Sequence, residues 1–307
     1  MDTFLQQLVN GLTAGSVYAV VALGYTMVYG IIQLINFAHG EVVMIGAMVA
    51  FSLITALAPA GLPPLAVLLI GTGCAIPVCA LVGYSMERFA YRPLRGAPRL
   101  APLITAIGIS IILQHLAMLV WSRNVLAFPQ ILETRTYMLG GTAITNVQIA
   151  IITVCFAMMA GLALLVYRTP LGTAMRATAQ NPQVAGLMGI DTNRVIAATF
   201  VIGAALAALA GVMYAANYGS VQHTMGFLPG LKAFTAAVFG GIGNLAGAMV
   251  GGVLLGLIEA LGAGYIGSLT GGILGSHYQD IFAFLVLILV LTLRPAGLLG
   301  ERVADRA

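Results

Sequence analysis

Along this chain, long apolar blocks alternate with short polar islands. The blocks run over residues 4–34, 42–58, 64–86, 101–121, 147–167, 195–217, 231–262 and 278–293. The apolar runs are long rather than alternating, which favours membrane-spanning helices over barrel strands. At ~20 residues per span, the apolar length allows about eight to ten transmembrane helices. The expected fold is therefore an all-α polytopic membrane protein, with one transmembrane domain over residues 1–307. Two of the blocks are interrupted. Gly11, Gly15, Gly24 and Gly30 punctuate 4–34, which is then either one helix or two, and Gly240-Gly241-Ile242-Gly243-Asn244 splits 231–262.

The polar islands carry the arginines. Residues 88–99 hold four arginines and two prolines. The stretch 168–194 holds Arg168, Arg176, Asp191 and Arg194, and the tail holds Arg294, Arg302 and Arg306. The positive-inside rule puts all three in the cytoplasm. If 4–34 is a single span, three spans precede the first of these loops and the chain starts outside; if it is broken, the chain starts inside. Residues 122–146, 218–230 and the Gly-rich 262–277 read as loops.

Within 168–194, Asn181-Pro182 reads as a helix start, with Asn as N-cap and Pro in the first helical position. Gly189 suits the position just past the helix end, where positive φ is required. The intervening helix of about two turns carries Val184, Leu187 and Met188 on one face. A water-facing loop has no reason of its own to display such a face. It either tucks against its own membrane domain or enters a partner.

Composition sharpens the class. The chain is 60% hydrophobic and only 7% charged, where soluble domains run near ~25% charged. Its 38 glycines suit close helix packing in lipid. Cys74, Cys79 and Cys155 lie in apolar blocks and read as small core residues, not a disulfide framework or metal site. The formal charge of +4 comes from arginines near membrane faces and reports orientation, not nucleic-acid binding. The opening MDTFLQQ lacks the basic region of a cleavable signal.

Few residues invite chemistry. Asn36, His39 and Glu41 fall between two apolar blocks. His39 and Glu41 diverge by about 200° on a helix, so they cannot share a metal; they hold a helix end or a neighbouring loop, or they gate. Glu259 stands alone in an apolar run, so it faces the bundle interior or snorkels at a helix end. Glu87-Arg88 reads as an interfacial anchor. Ser110 and His115 sit on different parts of one helix without a nucleophile-elbow motif, and no catalytic residues are assigned. The only lysine, Lys232, lies outside any phosphate-binding loop pattern, so ATP, if it drives the protein, is bound by another subunit and the chain needs no cofactor of its own. The scarcity of buried carboxylates disfavours ion coupling. A stand-alone channel or carrier remains the rival reading. A weak repeat aligns Asn36-Phe37-Ala38 with Asn244-Leu245-Ala246, an arrangement that in an inverted pair would bring interrupted helices together around a path.

Three segments together, GYTMVYGIIQLINFAHGEVVMIGA (24–47), RATAQNPQVAGLMGI (176–190) and LKAFTAAVFGGIGNLAGAMVGG (231–252), carry a family resemblance. Over nearly its full length the chain resembles the H-type permease subunits of bacterial high-affinity branched-chain amino acid ABC importers. The resemblance implies an inner-membrane location, a second homologous permease, two ATP-binding cassette subunits and a periplasmic amino-acid-binding protein. It further implies that Asn181, Pro182, Val184, Leu187, Met188 and Gly189 form the helix that docks into the ATPase. Asn36, His39, Glu41, Asn244 and Glu259 are the candidates for lining or gating the path. Permeases of urea or short-amide importers share the architecture and are the competing substrate reading.

Overall fold

The computed structural model describes residues 2–98, 100–130, 133–139, 141–269 and 279–300; Arg99, Arg302 and Arg306 lie outside them. Eleven α-helices dominate the described residues: α1 Asp2–Ile32, α2 His39–Leu57, α3 Pro64–Ser85, α4 Leu100–Val120, α5 Asn146–Arg168, α6 Pro170–Gln180, α7 Pro182–Leu187, α8 Thr192–Tyr218, α9 Phe227–Gly240, α10 Leu245–Leu269 and α11 Gln279–Leu293. Seven of these, α1 to α5, α8 and α10, are long and apolar enough to cross a membrane. The shorter apolar helices α9 and α11 pack among them.

Glycines at the contacts set the helix directions. Gly11 meets Leu257, Gly15 meets Val253 and Gly264 meets Gln7, so α1 and α10 run antiparallel. Gly240 meets Gly247 and Gly251 meets Ala236, so α9 also opposes α10 and therefore runs parallel to α1. The similarity between residues 36–40 and 244–247 thus relates segments with the same direction, not an inverted pair. Helix α1 is continuous through its four glycines, because those glycines admit neighbouring backbone and the His39 ring rather than breaking the helix.

One end of the bundle gathers the arginine-bearing segments. Arg95 Nη1 donates to Asn193 Oδ1 at 2.6 Å, joining the loop after α3 to the start of α8. The backbone N–H groups of Leu298 and Leu299 bond the carbonyls of Phe239 and Gly240, bringing the tail to the α9–α10 turn. That turn lies beside Gly30, near the end of α1. At the opposite end Gln6 bonds Ala143 in the hairpin of β2 (Thr136–Leu139) and β3 (Thr142–Thr145). With α1 unbroken and the arginine end inside, Gln6 stands on the outer side.

Three loop expectations change. Residues 122–146 hold strand β1 (Leu126–Ala127) as well as the hairpin. The 218–230 loop is shorter than expected, since α9 starts at Phe227 with Pro229 in its first turn, where a missing N–H costs nothing. After Tyr218 the chain turns back into the bundle until Gly226 packs on Gly40 and Met44. Strand β4 (Ser220–Val221) pairs with β1 there, satisfying backbone that lipid could not. Lastly, α10 continues through Gly262, Gly264 and Gly267 to Leu269; the rest of 262–277 falls outside the described residues.

Burial grades inward. The cores of α1 and α8 are buried, whereas α4 turns Leu100, Ile104, Ile111 and Leu119 outward. Cys79 and Cys155 are core residues, but Cys74 is exposed on α3.

Candidate functional site

The local chemistry of 169–191 builds a two-part element at the arginine-bearing end of the bundle. Thr169 caps α6, its hydroxyl accepting from Gly172 N–H at 3.1 Å, with Pro170 following. Gly172, Met175 and Thr178 are buried, and the Arg176 guanidinium donates to the carbonyl of Val166 at the end of α5. Helix α6 is thereby held under the bundle.

Helix α7 is different. Asn181 Oδ1 accepts from the N–H groups of Gln183 and Val184 at 3.0 and 3.1 Å, and Pro182 opens the helix. The end is closed by paired bonds from Ile190 N to Ala185 O and Gly189 N to Gly186 O, with Gly189 at φ +85°. This is the glycine-terminated motif that satisfies the last carbonyls. Only Ala185 is buried. Val184, Leu187 and Met188 are 51%, 87% and 78% exposed, so none of the described residues covers the apolar face.

The polar residues singled out within the bundle are mostly internal. Asn36, His39, Glu41 and Glu259 are all buried. Asn36 Oδ1 accepts from the Tyr91 hydroxyl at 3.0 Å. His39 begins α2, its ring edge-on to Tyr25 at 4.9 Å, and a side chain at Gly24 would overlap the imidazole. Glu41 Oε1 accepts from Ser110 Oγ at 3.1 Å and Gln114 Nε2 at 2.7 Å, tying α2 to α4. Ser110 is thus occupied by Glu41, while His115 is exposed and bonded to Ile111 O. Asn244 caps α10, accepting from Gly247 N–H at 3.1 Å and donating to Leu299 O at 2.8 Å.

Glu259 faces the interior, where Lys232 Nζ pairs with it and with Asp280 Oδ1, the latter at 2.8 Å. Residue by residue, Lys232 gave no signal except that a lone lysine in an apolar block needs a carboxylate partner. Glu87 is likewise no surface anchor. It is fully buried in the π-helical turn Met86–Tyr91 and pairs with both Arg92 and Arg95. Burial pulls the Arg95 guanidinium below its ordinary value, against the opposing pull of Glu87. Towards the outer side a cleft of about 140 Å³ is lined by Tyr214, Tyr218, Gln222, Thr224 and Leu228 among others; none of the five expected path residues reaches it.

Residues 7–291 match the family described as branched-chain amino acid transport system / permease component. The chain is 51% identical to the high-affinity branched-chain amino acid transport system permease protein BraD of Pseudomonas aeruginosa, over 97% of this chain and 96% of that protein. It is 46% identical to the LivH permease protein of the same kind of system in Escherichia coli, again over 97% and 96%. A probable branched-chain amino acid permease of Methanocaldococcus jannaschii is 28% identical over 91% of this chain and 87% of its own. No solved structure matches the chain.

Proposed function

The chain belongs to the branched-chain amino acid transport permease family, and from that premise we propose that it forms one half of the membrane path of an inner-membrane ABC importer for branched-chain amino acids. A homologous second permease supplies the other half. Two ATPase subunits bind the nucleotide and drive the cycle, and a periplasmic binding protein delivers the amino acid. The chain acts as a permease and not as an enzyme, and it carries no cofactor.

The observation that carries this reading is the uncovered Val184, Leu187 and Met188 face of α7 at the arginine-bearing end. Helix α6 is bound to the bundle and α7 sits between it and α8. A push on α7 therefore reaches α5 through α6 and α8 through the 188–191 link. Closing of the ATPase dimer would rock these helices and open the path outward, and relaxation would reverse it. Asn36, His39 and Asn244 act at the broken helix ends, Glu41 by tying α2 to α4 and Glu259 through Lys232, rather than by binding the passing amino acid.

Leu187→Asp tests the docking role. A carboxylate at the tip of the apolar face must be desolvated in any apolar groove, which costs several kcal/mol. Co-purification of the ATPase subunits and uptake of labelled leucine should both fall at least tenfold. Wild-type levels of both would end the coupling role for α7.

A further inference from the structure

We infer that Glu87, Arg92, Arg95 and Asn193 form a second force-transmitting link, a clasp that carries movement of the coupling segment sideways to α3 and to the break before α2. The inference rests on the coupling reading of α7 and adds a route that the helix alone does not supply.

The clasp starts at Asn193, the second residue of α8 and only a few positions past α7. Its side-chain oxygen takes a charge-assisted bond from Arg95 Nη1 at 2.6 Å. Arg95 also pairs with Glu87. Arg92 grips the same carboxylate with two bonds, Nε to Oε1 at 3.1 Å and Nη2 to Oε2 at 3.0 Å. Glu87 has no exposed surface, whereas both arginines keep about a quarter of their side chains accessible. A buried carboxylate held by two guanidiniums is stiff, because no water is available to replace either partner.

On its other side the clasp meets the break before α2. Glu87 lies in the same π-helical turn as Tyr91, one residue-widened turn of the kind found at functional hinges. Tyr91 is 1% exposed. Its hydroxyl donates to Asn36 at 3.0 Å and its ring packs against Phe200 of α8 at 5.2 Å. Asn36 sits in the non-helical segment between α1 and α2, and its carbonyl accepts the N–H of His39, the first residue of α2. The series Asn193, Arg95, Glu87, Tyr91, Asn36 therefore connects the base of the coupling segment to the start of α2 through side-chain polar contacts and, between Glu87 and Tyr91, the backbone of one π-helical turn. Rigid pairs of this kind transmit displacement where sliding apolar contacts would absorb it. Asn193 and Arg95 are positioning residues, acting through Tyr91 and Asn36.

The test is the ratio of leucine imported to ATP hydrolysed, in proteoliposomes holding the full importer with its binding protein. Asn193→Ala removes one bond to a charged donor at an exposed helix start, so the fold is retained. The ratio is expected to fall roughly tenfold, the scale of one charge-assisted bond, while ATPase subunits still co-purify. Asn193→Asp offers Arg95 a carboxylate and is expected to keep the wild-type ratio. An unchanged ratio in Asn193→Ala would overturn the clasp, and so would loss of ATPase co-purification in that variant, since the residue would then belong to the docking surface. Failure of the coupling reading shows separately, as a Leu187→Asp importer that still assembles and transports.

Discussion

Gly256→Leu is expected to abolish the folded protein. Helices α1 and α10 make the most intimate contact in the bundle, along Gly11 and Gly15 on one side and Gly252 and Gly256 on the other. Both pairs have the small-xxx-small spacing through which membrane helices approach backbone to backbone. A Cβ at Gly11 would lie 2.8 Å from Leu257 Cα, one at Gly15 would lie 2.7 Å from Val253 O, and one at Gly256 would overlap the Gly15 backbone. Backbone cannot rotate aside as a side chain can. Inserting single methylenes into a packed core already costs about 1–3 kcal/mol, so a whole isobutyl group here should exceed ~3 kcal/mol. Lipid offers no hydrophobic penalty to hold the displaced helices together. At Gly108 in α4 an added methyl would meet nothing within 4 Å, which makes Gly108→Leu the matched control. Size-exclusion profiles and melting temperatures of the detergent-purified variants should separate the two; identical behaviour would mean that α1 and α10 do not pack as described.

The second large effect concerns Lys232. Its removal in Lys232→Met leaves Glu259, 7% exposed at its side chain, beside Asp280 with no cation between them. Breaking a buried pair by deleting one partner costs about 3–5 kcal/mol, whereas replacing both by apolar groups is often neutral. Asp280 keeps a third of its side chain accessible, so the lower part of that range is expected. The diagnostic result is non-additivity: Lys232→Met with Glu259→Met should be more stable than Lys232→Met alone. Purely additive melting shifts would show that the two charges do not compensate each other.

Much of the architecture could be read without coordinates. Apolar blocks of membrane-spanning length located α2 to α5 and α8 within a few residues, and the start of α10, because lipid forces every backbone group of a span into one helix. Asn181, Pro182 and Gly189 marked the ends of α7, since capping is a matter of neighbours in sequence. The glycines were harder. The same residue type interrupts a helix at Gly241 and Gly243, with φ of +110° and +93°, and leaves α1 and the end of α10 intact. The difference lies in what stands opposite each glycine, which no local pattern records.

The amino-acid order by itself determined the class, the arginine-bearing end of the bundle and the presence of a short apolar-faced helix there, because each depends on hydropathy, charge count or residues within one turn. Tertiary structure alone decided that the 36 and 244 segments run the same way, that Lys232 answers Glu259 across 27 positions, and that Glu87 is buried between two arginines rather than an anchor. It also decided that the α7 face is left bare, since a short amphipathic helix looks the same whether its apolar side meets its own bundle or open water. These outcomes arise where distant helices touch, and the contact energy of two surfaces belongs to neither stretch of chain that makes them.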